Sequence, residues 1–480
     1  MKHRIKQLIL FLCTLVFIGN ISVASADTAS DTERLLNWAE NNYPQYFSTQ
    51  QTTQSFESWL FRFYSDTDVY VGVDTSNNGV YVFGGPWGSV NPTYIDSLSN
   101  LLAIQTGQDG KLTDVKFMVT GGGNFVIKAD GTVWGWGGNN ISGQLGDGTN
   151  EVRSTPVKVV GLTDVLQVVS GVATTIALKN DGTVWAWGSN WQGDFGDGTK
   201  GILDNSNTPV KIDKLNDITK IGQRNSTDFY AIKDDGTLWI WGCSANNIFD
   251  RFQDLSCTNP PSLPAQISGL TNVVDFKSAG NLIRSYYVLK SDGTVWAWGN
   301  NLSGQQGDGT NSNIILSHGV TGTDSDTPHQ VSGLTGVKEI AVVNYLTDPL
   351  VMVIALKEDG TVWAWGDNSS GLLGNRITTV TVDKPTQIIG LTGIIKISVD
   401  TFSGLALRND GNVWAWGSNN IFGGIGVGTT GTIMENRITT APTPVQLTDL
   451  SDIVDIKASA SSPIALKEDG TVWGWGSGFL

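Results

Sequence analysis

The 480-residue chain carries 30 Lys and Arg against 45 Asp and Glu, a formal net charge of −15, with 40% hydrophobic residues, 16% charged residues and 58 glycines. A chain of this size and apolar content can bury a substantial core, which excludes disorder as its organising state, and so much glycine suits many short strands joined by tight turns. The acid excess disfavours nucleic acid and anionic lipid as partners, because affinity for polyanions comes largely from Lys and Arg displacing counterions.

Residues 1–26 have the layout of a secretory signal. Lys2, Arg4 and Lys6 precede an apolar run from Leu8 to Ile18, and small residues end the segment at Ala24-Ser25-Ala26. Cleavage after Ala26 and soluble export are expected, with no membrane insertion afterwards, since the run is shorter than the roughly 20 residues a spanning helix needs. Loss of three cations and no acid takes the charge to −18. Export puts Cys243 and Cys257 in an oxidising compartment, where a disulfide between them would stabilise the chain by roughly 3 kcal/mol.

Residues 27–107 read as a small α+β module for attachment or spacing. Ser30 and Glu33 have capping-box spacing ahead of Leu35, Leu36 and Ala39, predicting a short helix ended near Pro44. Strands are predicted over 59–64, 69–73 and 80–83, with a turn at Asn77-Asn78-Gly79, followed by a helix from about Tyr94 to Ile104.

From residue 108 one phrase recurs seven times. DGTVWGWG or a close variant begins at Asp130, Asp181, Asp235, Asp292, Asp359, Asp410 and Asp469, at intervals of 51, 54, 57, 67, 51 and 59 residues. An apolar stretch such as Ile176-Ala177-Leu178 precedes the phrase, and Asp-Gly supplies the positive φ angles of a tight hairpin turn. A further short strand lies upstream, as at 165–169, and a Pro-containing one downstream, as at Pro209-Val210. Four strands repeated seven times predict an all-β, seven-bladed β-propeller over residues 108–480.

Residues two apart on a strand share a face, so each Trp-x-Trp can lay two indoles against a neighbouring blade. The pairs are Trp134 and Trp136, Trp185 and Trp187, Trp239 and Trp241, Trp296 and Trp298, Trp363 and Trp365, Trp414 and Trp416, and Trp473 and Trp475. Recurrence in every unit points to core packing rather than a ligand groove.

The unit ALKxDGTVWAWGxNxxGQLGDGT, nearly whole at 127–149, 177–199 and 288–310, resembles the repeat of the regulator of chromosome condensation family. The resemblance implies a seven-bladed propeller that closes by mixing its two chain ends. Family relatives include eukaryotic nucleotide-exchange factors and secreted bacterial inhibitors of β-lactamases. Here the GQLGDGT tail decays in later units and is replaced by the cysteine loop in the third. The seventh unit stops at Leu480 without its downstream strand, so closure is expected to borrow one from within 108–113.

No catalytic constellation stands out, and neither a cofactor nor a metal site is expected. Ser317, His318 and Asp324 or Asp326 imitate a hydrolytic triad but lack a nucleophile-elbow motif, and His318 and His329 lack zinc-ligand spacing. Insertions at 200–207, 243–261, 311–326, 375–384 and 427–443 are more informative, because varied loops on a rigid ring commonly bind. Trp191, Phe249, Arg251, Phe252 and Tyr345 are the candidate partner-binding residues, aromatic and Arg anchors being what interfaces favour. The expected function is non-enzymatic protein binding through rim loops. Inhibition of a secreted enzyme, degradation of extracellular polysaccharide or peptide, and surface adhesion or display remain the alternatives.

Overall fold

The computed structural model of the protein describes isolated strands between residues 61 and 103. From 115 to 477 it describes all but short stretches, the longer of which are 243–262, 312–323, 345–350, 375–380 and 419–439. Seven sheets, each of four antiparallel strands, follow one another along the chain, with first strands starting at Val115, Val165, Ile218, Val273, Val337, Ile394 and Ile453. Sheet 2 shows the plan: Val165–Ser170, Thr174–Lys179, Val184–Gly188 and Ser206–Lys211 run as a meander. First strands of consecutive sheets lie side by side around the axis, and fourth strands form the partly exposed periphery. This is the seven-bladed propeller that the period predicts.

Ring closure uses a different strand from the expected one. The fourth strand of sheet 7 is Gly88–Tyr94, paired to Val472–Ser477 with Trp473 opposite Tyr94 and Gly474 opposite Thr93. The predicted boundary at 107/108 therefore cuts off a propeller strand, and Gly88–Tyr94 takes the place expected for 108–113, which lie outside the described residues. Asn91-Pro92-Thr93-Tyr94 has the form of Thr208-Pro209-Val210-Lys211 in sheet 2, and Pro is tolerated on an outer strand. A separate sheet joins Phe61–Arg62, Val69–Asp74, Gly79–Gly84 and Leu102–Ala103. The predicted helix from Tyr94 to Ile104 is thus overturned at both ends by strands. The signal segment and the helix near Leu35 lie outside the described residues.

The hairpin turn also differs from its reading. Only its glycine has positive φ, +75° at Gly182, while Asp181 keeps the ordinary sign. The Asp carboxylate instead accepts from the Thr two residues on, with Thr183 N at 3.0 Å and Thr183 Oγ1 at 2.6 Å, and Trp185 Nε1 donates to that hydroxyl at 3.1 Å. The same clamp holds at Asp130, Asp235, Asp292 and Asp359. It lowers the Asp181 pKa, chiefly through the Thr183 side-chain hydrogen bond. A Cβ on Gly182 would also stand 3.0 Å from the Asp217 Cα of sheet 3. Gly182→Ala should therefore cost at least about 2 kcal/mol, adding backbone strain to a clash, as read by urea denaturation.

Six of the seven second tryptophans, Trp187, Trp241, Trp298, Trp365, Trp416 and Trp475, are fully buried against the preceding sheet. The first of each pair is half-buried at the same interface. In six of the seven units a Lys or Arg from the neighbouring strand covers it, closest for Lys290 over Trp296 at 4.1 Å.

The GQLGDGT tail explains itself here. Trp187 Nε1 donates to Gln144 O at 2.8 Å, Trp241 to Asp194 O at 2.9 Å and Trp365 to Gln305 O at 2.9 Å. The tail of one blade thus latches the indole of the next. Trp298 faces sheet 3, whose tail the cysteine loop replaces, and its Nε1 meets no acceptor among the described residues. Trp241→Phe should accordingly destabilise by about 1–3 kcal/mol more than Trp298→Phe, because only the former strands a buried carbonyl. Equal losses in urea denaturation would show that 243–262 supplies an acceptor.

Candidate functional site

Because the strands alternate in direction, the first-to-second turn and the third-to-fourth loop of each of the first six sheets emerge at one end of the ring. The Asp-Gly turns and the fourth-to-first connections emerge at the other. Six described large apolar side chains are more than 60% exposed, and five stand at the first end on sheets 1 and 2: Ile141, Val152, Val172, Trp191 and Leu203, from 65% to 95% exposed. The sixth, Ile389, is at the opposite end.

These loops are rigid. Asn190 holds the second one from within: its Oδ1 accepts from Phe195 N at 3.0 Å, its Nδ2 donates to Thr199 Oγ1 at 2.7 Å, and its N donates to Asn205 Oδ1 at 2.8 Å. Phe195 is buried beneath and pins the loop, leaving Trp191 outside. Asn140 acts alike in sheet 1, accepting from Leu145 N at 2.8 Å. The two loops are tied together by Asn207 Nδ2, which donates to Gly148 O at 3.1 Å and Asn150 Oδ1 at 2.9 Å. Gly122 N donates to Gly171 O at 2.8 Å and joins the two first turns, with Val172 at their edge.

Acids outnumber cations in these loops: Asp147, Glu151, Asp194, Asp197 and Asp204 stand against Arg153 and Lys200. Arg153 is itself held by Asp147 and Glu151, each at 3.0 Å. Glu151, Asp197 and Asp204 are exposed. Asp194 is buried beneath the loop, its Oδ2 accepting from Thr174 Oγ1 at 3.1 Å while Oδ1 meets no partner among the described residues. Burial, above all, pushes its pKa up to about 7, with the Asp228 charge adding to the rise and the Thr174 hydrogen bond opposing it. The Asp228 carboxylate is buried in the third sheet and is bonded to Arg224 Nη2 at 2.5 Å and Arg284 Nη1 at 3.5 Å.

Of the sequence candidates, Trp191 stands exposed on this face. Phe249, Arg251, Phe252, Tyr345, Cys243 and Cys257 lie outside the described residues, as do Ser317 and His318. Asp324 is occupied in accepting from Asn301 N at 2.8 Å, and His329 Nε2 lies 3.8 Å from Asp308. Among the described residues no group of three or more His, Cys, Asp or Glu is placed to hold a metal, and no helix is long and apolar enough to cross a membrane. Leu203, Val152, Ile141 and Val172 escaped the sequence reading. Ile141 and Trp191 follow the equivalent asparagines of two repeats, a signal that could have found the first from the second.

Residues 130–178, 181–222 and 359–402 match the regulator of chromosome condensation (RCC1) repeat, and 165–194 match a second form of it. Three of the seven units thus match the RCC1 repeat. Yeast RCC1 (Prp20), solved bound to Kap60, superposes with a TM-score of 0.52 at 16% identity, covering 96% of this chain and 97% of that one. Human HERC2, an E3 ubiquitin-protein ligase, is 28% identical over 325 residues, 66% of this chain but only 6% of its own length. The Arabidopsis thaliana ultraviolet-B receptor UVR8 is 26% identical, with 72% of this chain and 73% of the receptor covered. The matched region thus spans most of the ultraviolet-B receptor but only a small fraction of HERC2.

Proposed function

We propose that this RCC1-repeat chain is an exported, non-enzymatic protein-binding module that engages its partner through the loops shared by sheets 1 and 2. The observation that carries the reading is the gathering of five strongly exposed apolar side chains on one tied, preorganised surface. Monomeric proteins rarely leave such patches bare without a binding role, and a rigid platform reduces the ordering cost of association. The structure of yeast RCC1 bound to Kap60 supports the reading as a case of this fold engaging a protein.

Export follows from Lys2, Arg4, Lys6 and the apolar run that follows them, and the disulfide between Cys243 and Cys257 follows from export. N-terminal sequencing of the secreted protein should begin at Asp27. For binding, a photo-crosslinking residue at position 203 in the full mature chain should capture a discrete protein, and one at 389 on the opposite end should not. Equal labelling from both positions, or none, would refute the assignment of the face.

A further inference from the structure

The chemistry of that face narrows its partner. The apolar anchors share their loops with the exposed carboxylates of Glu151, Asp197 and Asp204, and the described cation of these loops, Arg153, is engaged by its own neighbours Asp147 and Glu151. Asp197 and Asp204 are exposed in the same short loop as Trp191, and they bracket Leu203 in sequence. An indole standing free of the surface beside carboxylates attracts a cation twice over, through the ring quadrupole and through charge.

The same features argue against other occupants. A second copy would bring an identical acidic face against this one, and the whole chain carries −15. A polyanion would meet the same repulsion. A neutral glycan could stack on Trp191 but would leave Leu203, Ile141 and Val172 without apolar partners and the carboxylates without a role.

We infer that the sheet 1 and sheet 2 face docks a protein segment in which Arg or Lys side chains are interspersed with aliphatic ones, the cation drawn to Trp191 and to the exposed Asp197 and Asp204 of the same loop, and the aliphatic groups set against Leu203, Ile141 and Val172. This rests on the proposed protein-binding function and specifies its partner. The field of the acidic loops steers the segment in, and the apolar anchors retain it.

The test uses two short synthetic peptides, one alternating Arg and Leu and the other alternating Glu and Leu, titrated by fluorescence anisotropy into the full mature chain. The Arg-Leu peptide should bind and the Glu-Leu peptide should not. Trp191→Ala and the pair Asp197→Asn with Asp204→Asn should each weaken binding about tenfold, the loss expected for a central anchor. The control Ile389→Ser, at the opposite end, should leave binding unchanged. Added NaCl should weaken binding in the wild type far more than in the doubly neutralised variant.

Equal binding of both peptides, or a loss with Ile389→Ser as large as with Trp191→Ala, would overturn the assignment. So would binding that depends on Trp191 but ignores both salt and the two aspartates, which is the signature of neutral-ligand stacking. If the Arg-Leu peptide fails while crosslinking from position 203 still captures a protein, the partner's basic character is refuted and the binding face stands. If both fail, the functional reading falls with it.

Discussion

Asp228→Ala should lower the stability of the propeller by about 3–5 kcal/mol, the scale expected when one member of a buried ionic group is removed. The Asp228 side chain is fully buried. Its Oδ2 takes Arg224 Nη2 at 2.5 Å from its own sheet and Arg284 Nη1 at 3.5 Å from the next. Arg224 is further fixed by its carbonyl, which accepts from Ser278 Oγ at 2.9 Å, and by the Tyr286 ring 5.6 Å from its guanidinium carbon. Deleting the carboxylate takes an anionic acceptor away from two buried guanidinium groups at the joint of sheets 3 and 4. Asp228→Asn should cost less, because the amide oxygen still accepts. Adding Arg224→Met to Asp228→Ala should recover part of the loss, since it removes one of the two buried charges that the carboxylate offset. Repeat arrays can unfold piecemeal, so hydrogen exchange of Asp228–Lys233 and Ser285–Lys290 should be followed beside urea denaturation. A loss under about 1 kcal/mol with unchanged exchange would show that the carboxylate is not what holds these two cations.

What the sequence disclosed was whatever the repeat writes seven times. The Asp-Gly turns, the strand before them and the Trp-x-Trp return are legible because each recurs with the same neighbours, and the fold follows from their count. The closing strand at Gly88–Tyr94 was hidden because it stands alone, some 380 residues from its pairing partner Val472–Ser477, with only Asn-Pro-Thr-Tyr to mark it. Trp191 was legible as an aromatic in a loop. Leu203 and Val172 were not, because an aliphatic residue in a loop reads the same whether it faces core or solvent, and only the packing of Phe195 and Asn190 decides which. The joint of Asp194, Asp228, Arg224 and Arg284 was invisible for a related reason. Asp228 and Arg284 are 56 residues apart, and Gly-Asp-Phe-Gly reads as drift from Gly-Gln-Leu-Gly until the burial of the carboxyl is known.

That drift has a measurable consequence. Gln144 and Gln305 occupy the position of Asp194 in their own tails, and there the side-chain oxygen accepts from Ser142 N at 2.9 Å and Ser303 N at 2.7 Å. The shorter Asp194 reaches only Thr174, and burial raises its pKa from the ordinary 3.8 to about 7. A carboxyl whose folded-state pKa is raised holds its proton in the native state after the unfolded chain has released it. Stability from this group is therefore full below about pH 4, falls as pH rises, and levels off above about pH 7, with an upper bound of about 4 kcal/mol. Of the charged groups nearby, Asp228 repels the ionised form, while Arg224 and Arg284 are each bonded to Asp228. The clamped turn aspartates run the other way but below pH 4, since their pKa values are lowered. Between pH 5 and 8 the urea midpoint of the wild type should thus decline. Asp194→Gln should raise the midpoint at pH 8 by the equivalent of about 1–3 kcal/mol and remove most of the slope. A remainder is expected from Glu339, whose carboxyl is also raised by burial. Because the Asp194 carbonyl latches Trp241 and its loop carries Trp191, ionisation should loosen both the joint of sheets 2 and 3 and the docking face above it. Parallel pH profiles for wild type and Asp194→Gln would show that the buried carboxyl does not titrate in this range, and the link between proton and loop would fail with it.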